Sequence, residues 1–86
     1  MKAALQIFSR DFDADFFKLP PDLQSRIQST IDRLGQALDK HPHHRMKGLD
    51  AYRFRVGDYR VIYNFDLTRG TLHLLAVGHR REIYRK

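Results

Sequence analysis

The chain has no cysteine. That absence excludes a disulfide, a thiolate metal site and a cysteine nucleophile. It also fits a reducing compartment. No apolar run approaches the ~20 residues that a membrane helix needs, and the N-terminus lacks a signal-peptide pattern. A soluble, cytoplasmic protein with no membrane partner is the expectation. There is no repeat, low-complexity segment or linker, and the 86 residues are too few for two domains. A single domain over residues 1–86 is expected, with 42% hydrophobic residues supplying a modest core.

Acidic residues are scarce in one half only. From Met1 to His43, six Lys/Arg face six Asp/Glu. From His44 to Lys86 there are ten Lys/Arg and four Asp/Glu, so the net charge of +6 belongs to the second half. Such asymmetry points to an anionic partner, most simply nucleic acid.

The pattern of elements follows from spacing. Ala3 to Phe8 reads as a short strand, with Leu5 and Ile7 on one face. Ser9 is a helix cap, with Asp11 and Asp13 in the first turn, where carboxylates oppose the helix dipole favourably. Phe12, Phe16 and Leu19 recur at helical spacing up to Pro20-Pro21. A second helix begins at Pro21 and carries the stripe Leu23, Ile27, Ile31, Leu34, Leu38, which reads as core packing against a sheet. His41-Pro42 ends it. Residues 41–49 then read as a basic loop. Its histidines do not form a recognised ligand set, and neither a metal nor a cofactor is expected.

The most informative stretch is Tyr52-Arg53-Phe54-Arg55-Val56-Gly57-Asp58-Tyr59-Arg60-Val61-Ile62-Tyr63. It reads as two strands joined at Gly57-Asp58. Alternation puts Tyr52, Phe54, Val56, Tyr59, Val61 and Tyr63 toward a core. Arg53, Arg55 and Arg60 then share the other face. Thr71 to Val77 is a third, strongly apolar strand, central in the sheet and ended by Gly78. The order strand, helix, helix, three strands indicates an α+β fold: two helices on one face of a small, mainly antiparallel sheet, with a short basic C-terminal tail.

These residues resemble a known family. Leu23 to Leu38, Lys47-Gly48-Leu49, the Tyr52–Tyr63 hairpin and Val77-Gly78-His79-Arg80-Arg81-Glu82-Ile83-Tyr84 are similar to the RelE-type toxins of bacterial toxin–antitoxin pairs. The resemblance covers nearly the entire chain. It implies a toxin that enters the ribosomal A site and cuts mRNA there by attack of a 2′-hydroxyl on the adjacent phosphate. It implies a cognate antitoxin as partner, beside the ribosome and its mRNA. Carried over by motif, Arg60 contacts the scissile phosphate, Arg80 stabilises charge or protonates the leaving group, and Tyr84 stacks on or orients a base. Arg53, Arg55 and Lys47 match basic RNA-contacting positions, while Arg81, Arg85 and Lys86 supply general grip on RNA.

One departure bears on the chemistry. The best-known member has lysines where Arg53 and Arg55 stand, one of them cast as a proton acceptor. Arginine stays protonated at any useful pH, so these two bind and neutralise only. His79 and Tyr84 are the alternatives for a base, and catalysis by positioning alone is a third. The superfamily also contains ParE-like gyrase inhibitors that have no catalysis, and a toxin fold can serve with its antitoxin as an inactive repressor.

Overall fold

The computed structural model describes residues 3–48 and 50–79. Seven elements follow in order: β1 (Leu5–Phe8), α1 (Arg10–Phe16), α2 (Pro21–Gln36), β2 (His44–Arg45), β3 (Tyr52–Val56), β4 (Tyr59–Asp66) and β5 (Thr71–His79). The strands form one sheet in the order β1-β5-β4-β3-β2. All neighbours are antiparallel except β1 and β5, where Leu5 aligns with Thr71 and Phe8 with Leu74. The α+β class and the mainly antiparallel sheet agree with the expectation from sequence.

The helices cover one face of the sheet because their apolar stripes have nowhere else to go. Ile27, Ile31 and Leu34 of α2 are buried together with Phe12 and Phe16 of α1, against Val61, Tyr63, Leu72, Leu74 and Val77 of the sheet. The spacing of the α2 stripe predicts this packing, and the core is continuous. Ser9 caps α1 as expected, its Oγ accepting from the Phe12 amide at 3.0 Å. The same hydroxyl donates to the Leu75 carbonyl at 2.7 Å, so the cap also ties the helix to β5.

Several boundaries differ from the sequence reading. The expected loop 41–49 contains strand β2, paired with β3 through His44↔Arg53 and Arg45↔Tyr52. A two-residue strand has no periodicity to read, and it exists because β3 offers it an edge. Helix α2 stops at Gln36, short of Leu38, yet Leu38 is still buried because the following turns carry it into the core. Strand β5 runs through Gly78 to His79, since β4 is long enough to pair with both. Strand β5 also carries a register shift opposite Ile62/Tyr63. On β1, Leu5 and Ile7 do share a face, but it is the open one, and Leu5 is 65% exposed. The polar Gln6 turns to the helix side, where it bonds Asp32 and Gln28 of α2.

Candidate functional site

The open face of the sheet is built by alternation along β3 and β4. Arg53 lies opposite Ile62, and Arg55 lies opposite Arg60. Directly opposed like charges in an antiparallel pair repel each other. Arg60 in turn aligns with Gly78 of β5, which has no side chain to cover it. Together His44, Arg53, Phe54, Arg55 and Arg60 line a cleft of about 230 Å³. Among the described residues no carboxylate lines it. Arg60 is half-buried with its Nε atom enclosed, whereas Arg53 and Arg55 are exposed.

His44 belongs to this cleft and sequence reasoning missed it. The reading of residues 41–49 as a basic loop does not separate it from its neighbours. The readable signal was alternation: two adjacent histidines in an extended segment must face opposite ways. His44 goes to the arginines. His43 goes to the core side, where its ring stacks on Phe65 with centroids 4.0 Å apart and meets Tyr52 and Tyr63. The Leu38 carbonyl, 2.8 Å from Nε2, can only accept, so that nitrogen carries the proton. In the neutral ring Nδ1 then accepts from the Tyr63 hydroxyl at 2.6 Å. His43 is thus a bolt that holds β2 against the sheet from behind the cleft. Burial, and then the neighbouring Tyr52, push the Tyr63 hydroxyl well above the ordinary tyrosine range, so it remains a donor.

The other residues named from sequence are distributed differently. Lys47 lines a separate surface cleft of about 410 Å³ with Arg45, Met46, Gly48 and Asp50. Arg45 approaches Asp50 there at 3.5 Å. His79 aligns with Tyr59 and meets its ring edge-on at 5.7 Å. That register puts His79 on the face opposite Arg60. Arg80, Arg81, Tyr84, Arg85 and Lys86 lie outside the described residues. Asp66 approaches Arg69 at 3.9 Å. Among the described residues no group of three or more His, Cys, Asp or Glu side chains is arranged to hold a metal ion.

A cationic cleft on a sheet face can bind a phosphate through guanidinium forks, and His44 sets an imidazole beside them. The relatives of the chain agree with such a fold. The model of the ParE toxin of type II toxin–antitoxin systems matches residues 7–84. Among solved structures, the RelBE2 toxin–antitoxin complex of Mycobacterium tuberculosis is 24% identical, with 93% of this chain and 94% of that one covered at a TM-score of 0.76. The RelB–RelE complex of Methanococcus jannaschii is 27% identical over 92% and 95% of the two chains, at a TM-score of 0.71. A free E. coli RelE double mutant reaches a TM-score of 0.79 at 13% identity, covering 96% and 90%. No curated protein matches. With the family model spanning nearly all of its length, the chain belongs to the RelE/ParE superfamily and is a toxin of the type II toxin–antitoxin class.

Proposed function

We propose that this toxin is a ribosome-dependent endoribonuclease that cleaves mRNA in the A site. The observation that carries the proposal is the cleft of His44, Arg53, Arg55 and Arg60 on the open sheet face. In the proposed reaction the 2′-oxygen of one nucleotide attacks the following phosphorus. The bond to the 5′-oxygen of the next nucleotide breaks, leaving a 2′,3′-cyclic phosphate and a 5′-hydroxyl. Arg60 and Arg53 hold the non-bridging oxygens and neutralise the charge that grows on them. Arg55 holds the strand beside them.

His44 takes the proton from the 2′-hydroxyl. Among the described residues that line the cleft it is the proton acceptor, because the arginines accept no proton. Arg80 and Tyr84 keep the roles that the family resemblance implies, at the leaving oxygen and the base. The ribosome supplies the alignment of the mRNA. The partner that silences the toxin is an antitoxin, as in the RelB complexes to which the chain is similar. An acidic segment suits a chain of net charge +6.

The test is cleavage of a defined mRNA on programmed ribosomes, mapped by primer extension. The wild type cuts within the A-site codon, and only when ribosomes are present. Arg60→Ala abolishes the cuts while its thermal melt stays near that of the wild type. His44→Gln lowers the rate by about 10²-fold or more. A second reading has its own support, because the matching family model is that of ParE. A folded wild type that makes no cuts but inhibits supercoiling by DNA gyrase would replace the nuclease reading with that one.

A further inference from the structure

The sheet-face cleft does not use all the cationic surface of the hairpin. Around the same hairpin tip, α2 and β3 enclose a second cleft of about 480 Å³. Ser25, Arg26, Ser29, Thr30 and Arg33 form one wall, and Arg55, Val56 and Gly57 form the other. Positions 26, 29, 30 and 33 are three and four apart, so they share a helix face beside the buried stripe. An exposed helix face ordinarily mixes charges of both signs. This one brings two arginines toward a third across the cleft, and among the described residues no carboxylate lines it.

Among the described residues no acid pairs with Arg26 or Arg33, and both are exposed. The Arg33 Nη2 approaches the Thr30 Oγ1 at 3.4 Å, while that hydroxyl donates to the Arg26 carbonyl at 3.0 Å. Gly57 leaves the turn open at this point. A Cβ added there would meet the Arg26 Nη2 at 3.8 Å, so the helix guanidinium reaches the turn itself.

Arg55 lines both clefts. It stands on the saddle between the sheet face and the helix side. The second cleft is open and rich in donors, unlike an apolar pocket for a small molecule. Guanidinium forks with hydroxyl donors beside them match the several oxygens of a phosphate. A nucleic-acid strand carries one such group per nucleotide, so a strand held in one cleft presents another charge to the next.

We propose that the α2–hairpin cleft is a second phosphate subsite: the strand in the sheet-face cleft crosses the hairpin at Arg55, and a flanking phosphate sits between Arg26 and Arg33. This rests on the reading of the sheet face as an RNA site, but not on cleavage.

The test is fluorescence anisotropy of a nine-nucleotide 2′-O-methyl RNA, which cannot be cut, titrated with the full chain over a series of salt concentrations. Arg26→Gln/Arg33→Gln is compared with Arg10→Gln/Arg69→Gln, which removes the same charge from the start of α1 and from the β4–β5 turn. Thermal melts check that both pairs remain folded. The subsite pair should weaken binding about tenfold at low salt. It should also reduce the slope of log K against log salt by about 0.7 for each phosphate released. The control pair should change affinity less than twofold.

Equal losses in the two pairs would overturn the proposal, since net charge alone would explain them. So would an unchanged slope, an absence of RNA binding by the wild type, or a loss confined to an oligoglutamate peptide, which would assign the cleft to an acidic protein segment. The ribosome assay fails independently. A wild type that does not cut, but shows the slope change, keeps the subsite and loses the nuclease.

Discussion

Two adjacent histidines show how residue-scale geometry divides the core from the cleft here. His43 is fixed by the Leu38 carbonyl and the Tyr63 hydroxyl, while His44 meets the arginines. Tyr63→Phe removes the donor to His43 and leaves a partly buried acceptor unmet. The expected loss is about 1–2 kcal/mol in urea unfolding. The same variant has a spectroscopic signature. Because burial holds the Tyr63 hydroxyl far above the usual range, phenolate absorbance of the wild type should retain a component that appears only as the protein unfolds in alkali. That component should be missing in Tyr63→Phe. A Tyr63 that ionises in the ordinary range would show that the hydroxyl is not held as described. The hairpin arginines were legible in the sequence because period-two alternation is a strong signal over twelve residues. The histidine pair was not, because β2 is too short to show any period and its side chains take their directions from β3.

At the scale of elements, Ser9 joins the helical and sheet layers. Its backbone amide donates to the Leu74 carbonyl at 2.9 Å, and its hydroxyl bonds the Leu75 carbonyl as well as capping α1. These contacts sit where the register of β5 shifts, so α1 is moored to the irregular part of the strand. Ser9→Ala should cost about 1–2 kcal/mol, at the upper end for a helix cap, because a tertiary bond is lost with it. Hydrogen exchange should quicken in α1 and at the shifted part of β5, and not in the β3–β4 hairpin. Uniform quickening across the sheet would mean that Ser9 supports the fold at large. The cap itself was readable, since serine followed by acidic residues announces a helix start. Its second bond was not, because nothing local in Ser9 indicates a strand so distant in sequence. For the same reason the direction of β1 was unreadable: its apolar residues look like core, and only the sheet order shows that Leu5 and Ile7 face outward while Gln6 faces α2.

For the molecule as a unit, acid stability follows from the histidine-bearing turn after α2. Burial, then the neighbouring His43 and His44, hold the His41 imidazole below its usual value of 6.5. The folded state therefore takes up this proton less readily than the unfolded state. The contribution is nil above about pH 6.5 and turns unfavourable as pH falls toward the lowered folded value. The melting temperature should decline with acidification in that window, and His41→Asn should decline less. An identical pH dependence in the variant would remove His41 as the cause. The two-layer architecture was legible as a whole, from the helix stripe, the hairpin and the order of elements. The convergence of α2 on the hairpin tip was not, since it depends on how the layers are stacked.

The parallel pairing of β1 with β5 also sets a clock. The contact that seats Ser9 on Leu75 joins residues 66 positions apart. Loop closure over such a span is slow, and parallel pairing is the slowest kind. At synthesis rates of about 5–20 residues per second, β1 leaves its ribosome roughly 3–13 s before β5, its neighbour in the sheet, exists. Throughout that interval Leu5 and Ile7 belong to an unpaired segment, while the β3–β4 hairpin, whose strands are adjacent in sequence, is free to form as soon as it emerges. Contact order thus predicts that the cationic hairpin forms early and that β1 joins β5 late.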